Sequence, residues 1–191
     1  MRQTIMAALA VLAVSGAAVA EPLTRKAAQE QLFEPKGIAV VLYQIPGVDA
    51  TTQALLKEVI KGYSYYAAVA IAPGEELLKS EATMLVGNQH SVEAATSQAL
   101  ARCNAVRKEG PECQIAVLVQ PANWQARGLS LSSEATAALA DDYGRFGERA
   151  LAIAPQDGVW SIGRGKNAAQ VALNGCAGKG GAGCTVVVSD R

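Results

Sequence analysis

Ala68-Val69-Ala70-Ile71-Ala72-Pro73 recurs later in the chain as Ala150-Leu151-Ala152-Ile153-Ala154-Pro155. Each copy is followed, in the same order, by an Ala-Leu pair, a cysteine, a second cysteine and a valine-rich run. This repetition predicts an α+β fold in which two pseudo-repeated β-β-α-β units pack as one domain. The cysteines that close the two units are Cys103 and Cys113 in the first and Cys176 and Cys184 in the second.

Each unit places its first cysteine at the end of an apolar helical stripe. In the first unit Ser91 is a candidate N-cap, and the stripe runs through Ala95 and Ala99 to Cys103. A sulfur at that position can reach the start of the following strand. Four cysteines allow three pairings, and the local pairing, Cys103 with Cys113 and Cys176 with Cys184, is the one that each unit can form by itself. Alternating small residues at Ala68, Ala70 and Ala72 predict that one face of the strand carries a closely packed helix.

Residues 1–20 have the features of a secretory signal. Arg2 supplies the positive end, the stretch 5–14 is apolar but too short to cross a bilayer, and Ala18-Val19-Ala20 is an A-x-A cleavage site. We therefore expect a periplasmic or secreted protein that begins at Glu21. An even number of cysteines suits that oxidising location.

The rest of the chain divides by pattern into four parts: a helix/strand/helix segment at 21–64, the first unit at 65–120, a spacer at 121–147 and the second unit at 148–191. Predicted strands lie at 38–43, 65–72 and 81–86, and predicted helices at 24–33, 51–61 and 133–140. Asp49 and Asn167 are further candidate N-caps.

The charge balance excludes some partners. The chain has 17 basic and 17 acidic residues, so it lacks the basic surface expected for nucleic acid or anionic membrane. No long apolar segment predicts a membrane span after the signal, and no motif predicts a cofactor. The expected partner is an envelope or extracellular protein, or a small ligand.

The unit pattern resembles the domain-of-unknown-function 4189 family of small exported bacterial proteins. The resemblance covers about residues 65 to 189 and rests on the two Ala-rich stretches, the four cysteines and Trp160. It implies the duplicated fold but no activity. Chains of similar layout are sometimes called 5-aminolevulinate synthase, but that pyridoxal-phosphate enzyme needs a far larger fold and a cytoplasmic substrate, so the name does not transfer.

Several residues invite a catalytic interpretation. His90 is the only histidine, and it is the candidate base of a small envelope hydrolase, although no G-x-S-x-G motif accompanies it. The simpler interpretation is a polar turn before a helix. Glu75-Glu76 and Asp141-Asp142 are paired acids, but adjacent acids point in different directions and usually lie on solvated turns.

Two other patterns favour structural roles. Residues 163–167 bring Arg164 and Lys166 to a helix start, which suggests a phosphate site, yet they fail the Walker pattern and fit a glycine turn. Cys103 lies at the C-terminal end of its helix, where the helix dipole does not lower a thiol pKa, so a disulfide is favoured over a nucleophile. No metal site is expected.

The spacer differs in composition from both units. Trp124, Arg127, Tyr143 and Arg145, with Phe146, give it an aromatic and basic character typical of binding surfaces. Packing of these rings on the sheet is the alternative, and Tyr63, Tyr65 and Tyr66 are assigned to strand and edge packing. We expect a non-enzymatic binding or interaction module, with the His90 hydrolase or a purely structural envelope component as alternatives.

Overall fold

The computed structural model describes residues 21–46, 48–77, 79–108 and 110–191. The predicted signal and its cleavage site therefore lie outside the described residues. Within the part of the chain that is described, no helix combines the length and the apolar character needed to cross a lipid bilayer. The elements, in chain order, are α1 (Arg25–Gln31), β1 (Ile38–Leu42), α2 (Ala50–Ile60), β2 (Ala67–Ile71), β3 (Met84–Val86), α3 (Val92–Val106), β4 (Gln114–Pro121), α4 (Ser133–Asp141), β5 (Arg149–Ile153), β6 (Trp160–Arg164), α5 (Ala168–Gly178) and β7 (Thr185–Asp190).

The strands form two antiparallel sheets with matching topology. The first has the order β1-β4-β2-β3 and the second the order β6-β5-β7. In each unit the Ala-rich strand lies between its hairpin partner and the valine-rich strand. A register shift interrupts this last pairing at Val69/Ala70 in the first sheet and at Leu151/Ala152 in the second, which are corresponding positions of the repeat. The predicted α+β class with two β-β-α-β units is confirmed.

The alternation along β2 and β5 sets which helix covers which face. Ala68, Ala70 and Ala72 pack in one cluster with Ala95 and Ala99 of α3, as the small-residue pattern predicts. The second unit repeats this arrangement, with alternate alanines of β5 against α5. The residues of that cluster are Ala150, Ala152, Ala154, Ala168, Ala172 and Cys176. Small side chains on both partners let each helix approach its sheet closely.

The opposite face of each sheet is covered by elements from outside the repeat. On the first sheet, Val69 and Val117 pack against Leu56 and Ile60 of α2. On the second, Leu151 packs with α4, Tyr143 and Ala28 of α1. The N-terminal segment also extends the sheets, because β1 pairs with β4 and Leu23 makes a parallel bridge to Val188.

Both predicted local disulfides are confirmed. Cys103 bonds Cys113 with a Cα–Cα distance of 6.1 Å, and Cys176 bonds Cys184 with a distance of 6.2 Å. Each fastens the end of the unit's helix to the start of its last strand. In the chain-entropy description of such short loops, each bond stabilises the fold by about 2.5 kcal/mol.

The structure corrects some local predictions. Asp49 and Ser91 cap α2 and α3 with their side chains, as predicted. Asn167 precedes α5 but adopts a left-handed conformation and makes no side-chain cap bond, so that prediction was wrong. The predicted strand at 81–86 is observed only at Met84–Val86, because residues 79–83 form turns in which Ala82 N–H is bound by the Ser80 hydroxyl.

Candidate functional site

A small cleft opens where the spacer leaves the first sheet and crosses the start of α3. Its volume is about 90 Å³. We call it the Tyr66 cleft, after the most buried of its lining residues. The lining residues come from the segment after α1, the position before β2, the start of α3 and the spacer: Phe33, Tyr66, Ser91, Val92, Glu93, Trp124, Gln125, Ala126, Arg127, Leu129 and Ser130.

Local backbone contacts hold the walls of the cleft. Tyr66 is placed just before β2 by a reciprocal pair of hydrogen bonds with Gln89, of 3.0 and 3.4 Å. Its side chain is consequently only 1% exposed. Trp124 follows the end of β4 in a turn closed by its N–H to Pro121 O at 3.2 Å, and the preceding Asn123 has a positive φ of 58°. Ser91 fixes the opposite wall by capping α3.

Tyr66 is the most buried of the residues that line the cleft. Burial raises the pKa of its hydroxyl, and side-chain hydrogen bonds with Ser130 and Trp124 oppose that effect. Tyrosine, serine and the tryptophan indole each carry one side-chain donor hydrogen. The three side chains therefore give the cleft a group of hydrogen-bond donors.

Two opposite charges lie at the rim of the cleft. The Glu93 carboxylate raises the pKa of Tyr66, while the Arg127 guanidinium lowers it, so both charges act on the same hydroxyl. Arg127 also has a structural role. Its Nη1 donates to Gln31 O at 3.0 Å and Leu32 O at 2.8 Å, and its guanidinium lies 3.7 Å from the Phe33 ring centre. Arg127 thus ties the end of α1 to the spacer.

The spacer residues predicted to bind do not all meet at one place. Trp124 and Arg127 line the Tyr66 cleft. Tyr143 is buried and donates its hydroxyl to Arg149 O at 2.9 Å, and burial raises its pKa, so it packs in the core as the alternative interpretation expected. Arg145 is exposed beside Phe146, which is 92% exposed on the loop after α4, and neither lines the cleft.

His90 is buried at the junction of the two units rather than in an open turn. Its side chain is 1% exposed. Nδ1 accepts a hydrogen bond from Ser132 N–H at 3.1 Å, and Nε2 lies 3.1 Å from Val159 O, which requires the hydrogen to be on Nε2. A general base needs a free ring nitrogen near a substrate proton. The Ser132 N–H occupies the basic nitrogen of His90, so this nitrogen is not free to act as a general base. The two ring hydrogen bonds connect His90 of unit one to Ser132 of the spacer and to Val159 of unit two.

The other sequence candidates have structural partners. The Glu148 carboxylate accepts from Asn167 N–H at 3.2 Å, so an acidic side chain already occupies the start of α5 where a phosphate was considered. Glu75 binds the Ser80 hydroxyl at 2.6 Å and Lys108 N–H at 2.9 Å. Among residues 21–46, 48–77, 79–108 and 110–191, no group of three His, Cys or acidic side chains is arranged to hold a metal ion.

Sequence reasoning missed Tyr66, Ser130 and Glu93 as members of the site. Tyr66 was assigned to strand packing because it falls within the predicted strand at 65–72, and Glu93 is typical of the first turn of any helix. The aromatic pair Tyr65-Tyr66, just before β2, is the sequence feature that could have indicated this site. No known protein family, curated protein or solved structure matches this chain, so its function has to be argued from the cleft itself.

Proposed function

We propose that this protein is an exported, non-enzymatic binding module that holds a small group of its ligand in the Tyr66 cleft. The observation that carries the proposal is the cleft itself, in which Tyr66 and Ser130 come together with Trp124 and Phe33. A small concave site with aromatic walls and a few polar groups is the usual form of a ligand site. The volume of about 90 Å³ suits one functional group of a larger ligand.

A binding role fits the cleft better than hydrolysis. Nucleophilic catalysis needs a hydroxyl or thiol beside a free base. All four cysteines are in disulfides, and the basic nitrogen of His90 is bound to Ser132 N–H. In the described residues, Ser130 contacts Tyr66, a phenol whose raised pKa keeps it protonated at neutral pH, so it cannot act as a general base there. The cleft can therefore position a ligand without activating a nucleophile.

Export and a family resemblance are the remaining parts of the proposal. The two disulfides suit an oxidising compartment. Together with the signal pattern before Glu21, they support a periplasmic or secreted location with cleavage after Ala20. The duplicated units and their equivalent disulfides support the resemblance to the domain-of-unknown-function 4189 family. The ligand is then a component of the envelope or of the medium.

Mapping the surface with small probes tests this proposal. The probes are acetamide, glycerol, acetate and methylammonium, titrated separately into ¹⁵N-labelled protein. We expect at least one of them to shift the Trp124 indole resonance and the Glu93 and Ser130 amide resonances in a saturable way. The chain has two tryptophans. Trp160, which packs in the second unit beside Lys179, is the internal control and should not move.

A different pattern of shifts would contradict the proposal. Saturable shifts confined to the groove of about 480 Å³ around Pro73, Glu76 and Lys79 would indicate that the ligand binds in that groove and not in the Tyr66 cleft. Failure of every probe to perturb Trp124 would remove the cleft as a binding site.

A further inference from the structure

The hydrogen-bonding groups of the Tyr66 cleft indicate which chemical group of a ligand the cleft binds. We infer that the cleft binds an uncharged amide group, either an acetamido group or a peptide amide, and this inference rests on the proposed function. An amide presents a carbonyl acceptor and an N–H donor on opposite sides of a flat group. The cleft presents a donor at its base and an acceptor at its rim.

The base of the cleft selects a carbonyl oxygen. Tyr66, Ser130 and Trp124 line the cleft, and each carries one side-chain donor hydrogen. Tyr66 is the most buried of the three and is 1% exposed. In the described part of the chain, the Tyr66 and Ser130 hydroxyls have no hydrogen-bond acceptor beyond this group of three side chains. A ligand carbonyl can therefore accept a hydrogen bond from this group.

The rim selects an uncharged group with an N–H. Glu93 lines the cleft and is exposed, and its carboxylate makes no hydrogen bond or ion pair with the described residues. Its carboxylate can accept from the amide N–H, and a hydrogen bond to a charged acceptor is stronger than a neutral one. Glu93 and Arg127 have opposite charges and both act on the Tyr66 hydroxyl, so neither a free anion nor a free cation is strongly favoured.

The size and the walls of the cleft agree with an amide ligand. Trp124 and Phe33 line the cleft with aromatic rings on which a planar group can lie, and the Arg127 guanidinium stacks on the Phe33 ring. A volume of about 90 Å³ accommodates an acetamide-sized group and leaves the remainder of a sugar or peptide outside. The cleft therefore recognises the amide group and not the whole ligand.

The closing experiment compares N-methylacetamide with methyl acetate, which has the same shape and carbonyl but no N–H. Binding to the full chain is followed by the Trp124 indole resonance. We expect N-methylacetamide to bind about fivefold more tightly than the ester, because only the amide donates to Glu93. Glu93→Ala should abolish this preference. Tyr66→Phe should weaken both probes about tenfold, because both lose the donor to the carbonyl.

Tyr65→Phe is the matched control. Tyr65 is as buried as Tyr66, but its hydroxyl donates to Phe33 O at 3.2 Å and it does not line the cleft. Its replacement should leave both affinities unchanged. N-acetylglucosamine and N-acetylglycine amide then distinguish the two sources of the amide, since the true source should bind more tightly than N-methylacetamide.

Equal or tighter binding of the ester, or an amide preference that persists in Glu93→Ala, would overturn the amide assignment while the cleft remained a binding site. If neither probe moves the Trp124 resonance while acetate or glycerol does, the assignment also fails and the proposed function stands. If none of these probes shifts the Trp124 resonance, both the amide assignment and the proposed function are refuted.

Discussion

Gly163→Ala is expected to destabilise the protein by at least about 3 kcal/mol, enough to disrupt the second unit. A Cβ at this position on β6 would lie 2.0 Å from Ala168 O and 2.5 Å from Ala172 N, both backbone atoms of α5. Neither can move without lifting the helix from the sheet. Because α5 is fastened at its other end by the disulfide at Cys176, the strain cannot be relieved by a simple tilt.

Gly178→Ala on the same helix is the control. Gly178 is the last residue of α5, and an added Cβ would meet no atom within 4 Å. Alanine has the higher helix propensity, so this change should be neutral or stabilise by up to about 1 kcal/mol. Urea denaturation of the two variants measures the difference. Equal stability of Gly163→Ala and the parent protein would show that α5 does not pack on β6 as described.

The second large effect is a loss of stability in acid that depends on His90. Burial lowers the pKa of His90 below its ordinary value of 6.5, although the Val159 carbonyl and Asp157 oppose the shift. The folded protein therefore binds its imidazole proton only at a lower pH than the unfolded chain does. Stability should be complete above about pH 6.5 and fall below it, by at most about 1.4 kcal/mol per pH unit. Protonation of Nδ1 would also break the bond from Ser132 N–H.

His90→Gln tests this linkage. The variant should be less stable than the parent at pH 7, because it loses the ring that joins Ser132 to Val159, but its stability should lack the extra slope below about pH 6.5. Both proteins retain the same carboxylates, so the difference between their pH profiles isolates His90. Since the chain has one histidine, its proton NMR resonance reports the pKa directly. An imidazole that titrates near 6.5 in the folded protein would contradict the buried junction.

Much of the fold follows from local patterns that tertiary structure reinforces. The Ala-rich strands, the helices that end in cysteine and the N-caps at Asp49 and Ser91 combine periodicity with specific side-chain chemistry. The sequence also places the disulfides, because each pair lies within one unit. The left-handed backbone at Asn167 was not predictable from the local pattern, and its N–H binds the Glu148 carboxylate, which lies just before β5.

The site was predictable only in part. Trp124 and Arg127 stand out by composition, and both line the cleft. Tyr143 has the same composition signal, yet it is buried because α4 and β5 bring its hydroxyl to Arg149 O. Tyr66 and Glu93 are far apart in sequence from the spacer, and only the crossing of α3 by the spacer brings them together. Composition identifies residue types suited to binding, but it does not show which of them share a cleft.

The central claim is that the Tyr66 cleft holds a ligand amide. A crystal structure of the full chain soaked with N-methylacetamide tests it most directly. We predict density between Trp124 and Phe33, with the carbonyl oxygen within hydrogen-bonding distance of the Tyr66 hydroxyl and the N–H directed at Glu93. An empty cleft beside an occupied groove elsewhere, or a probe bound with its carbonyl directed away from Tyr66, would contradict the account.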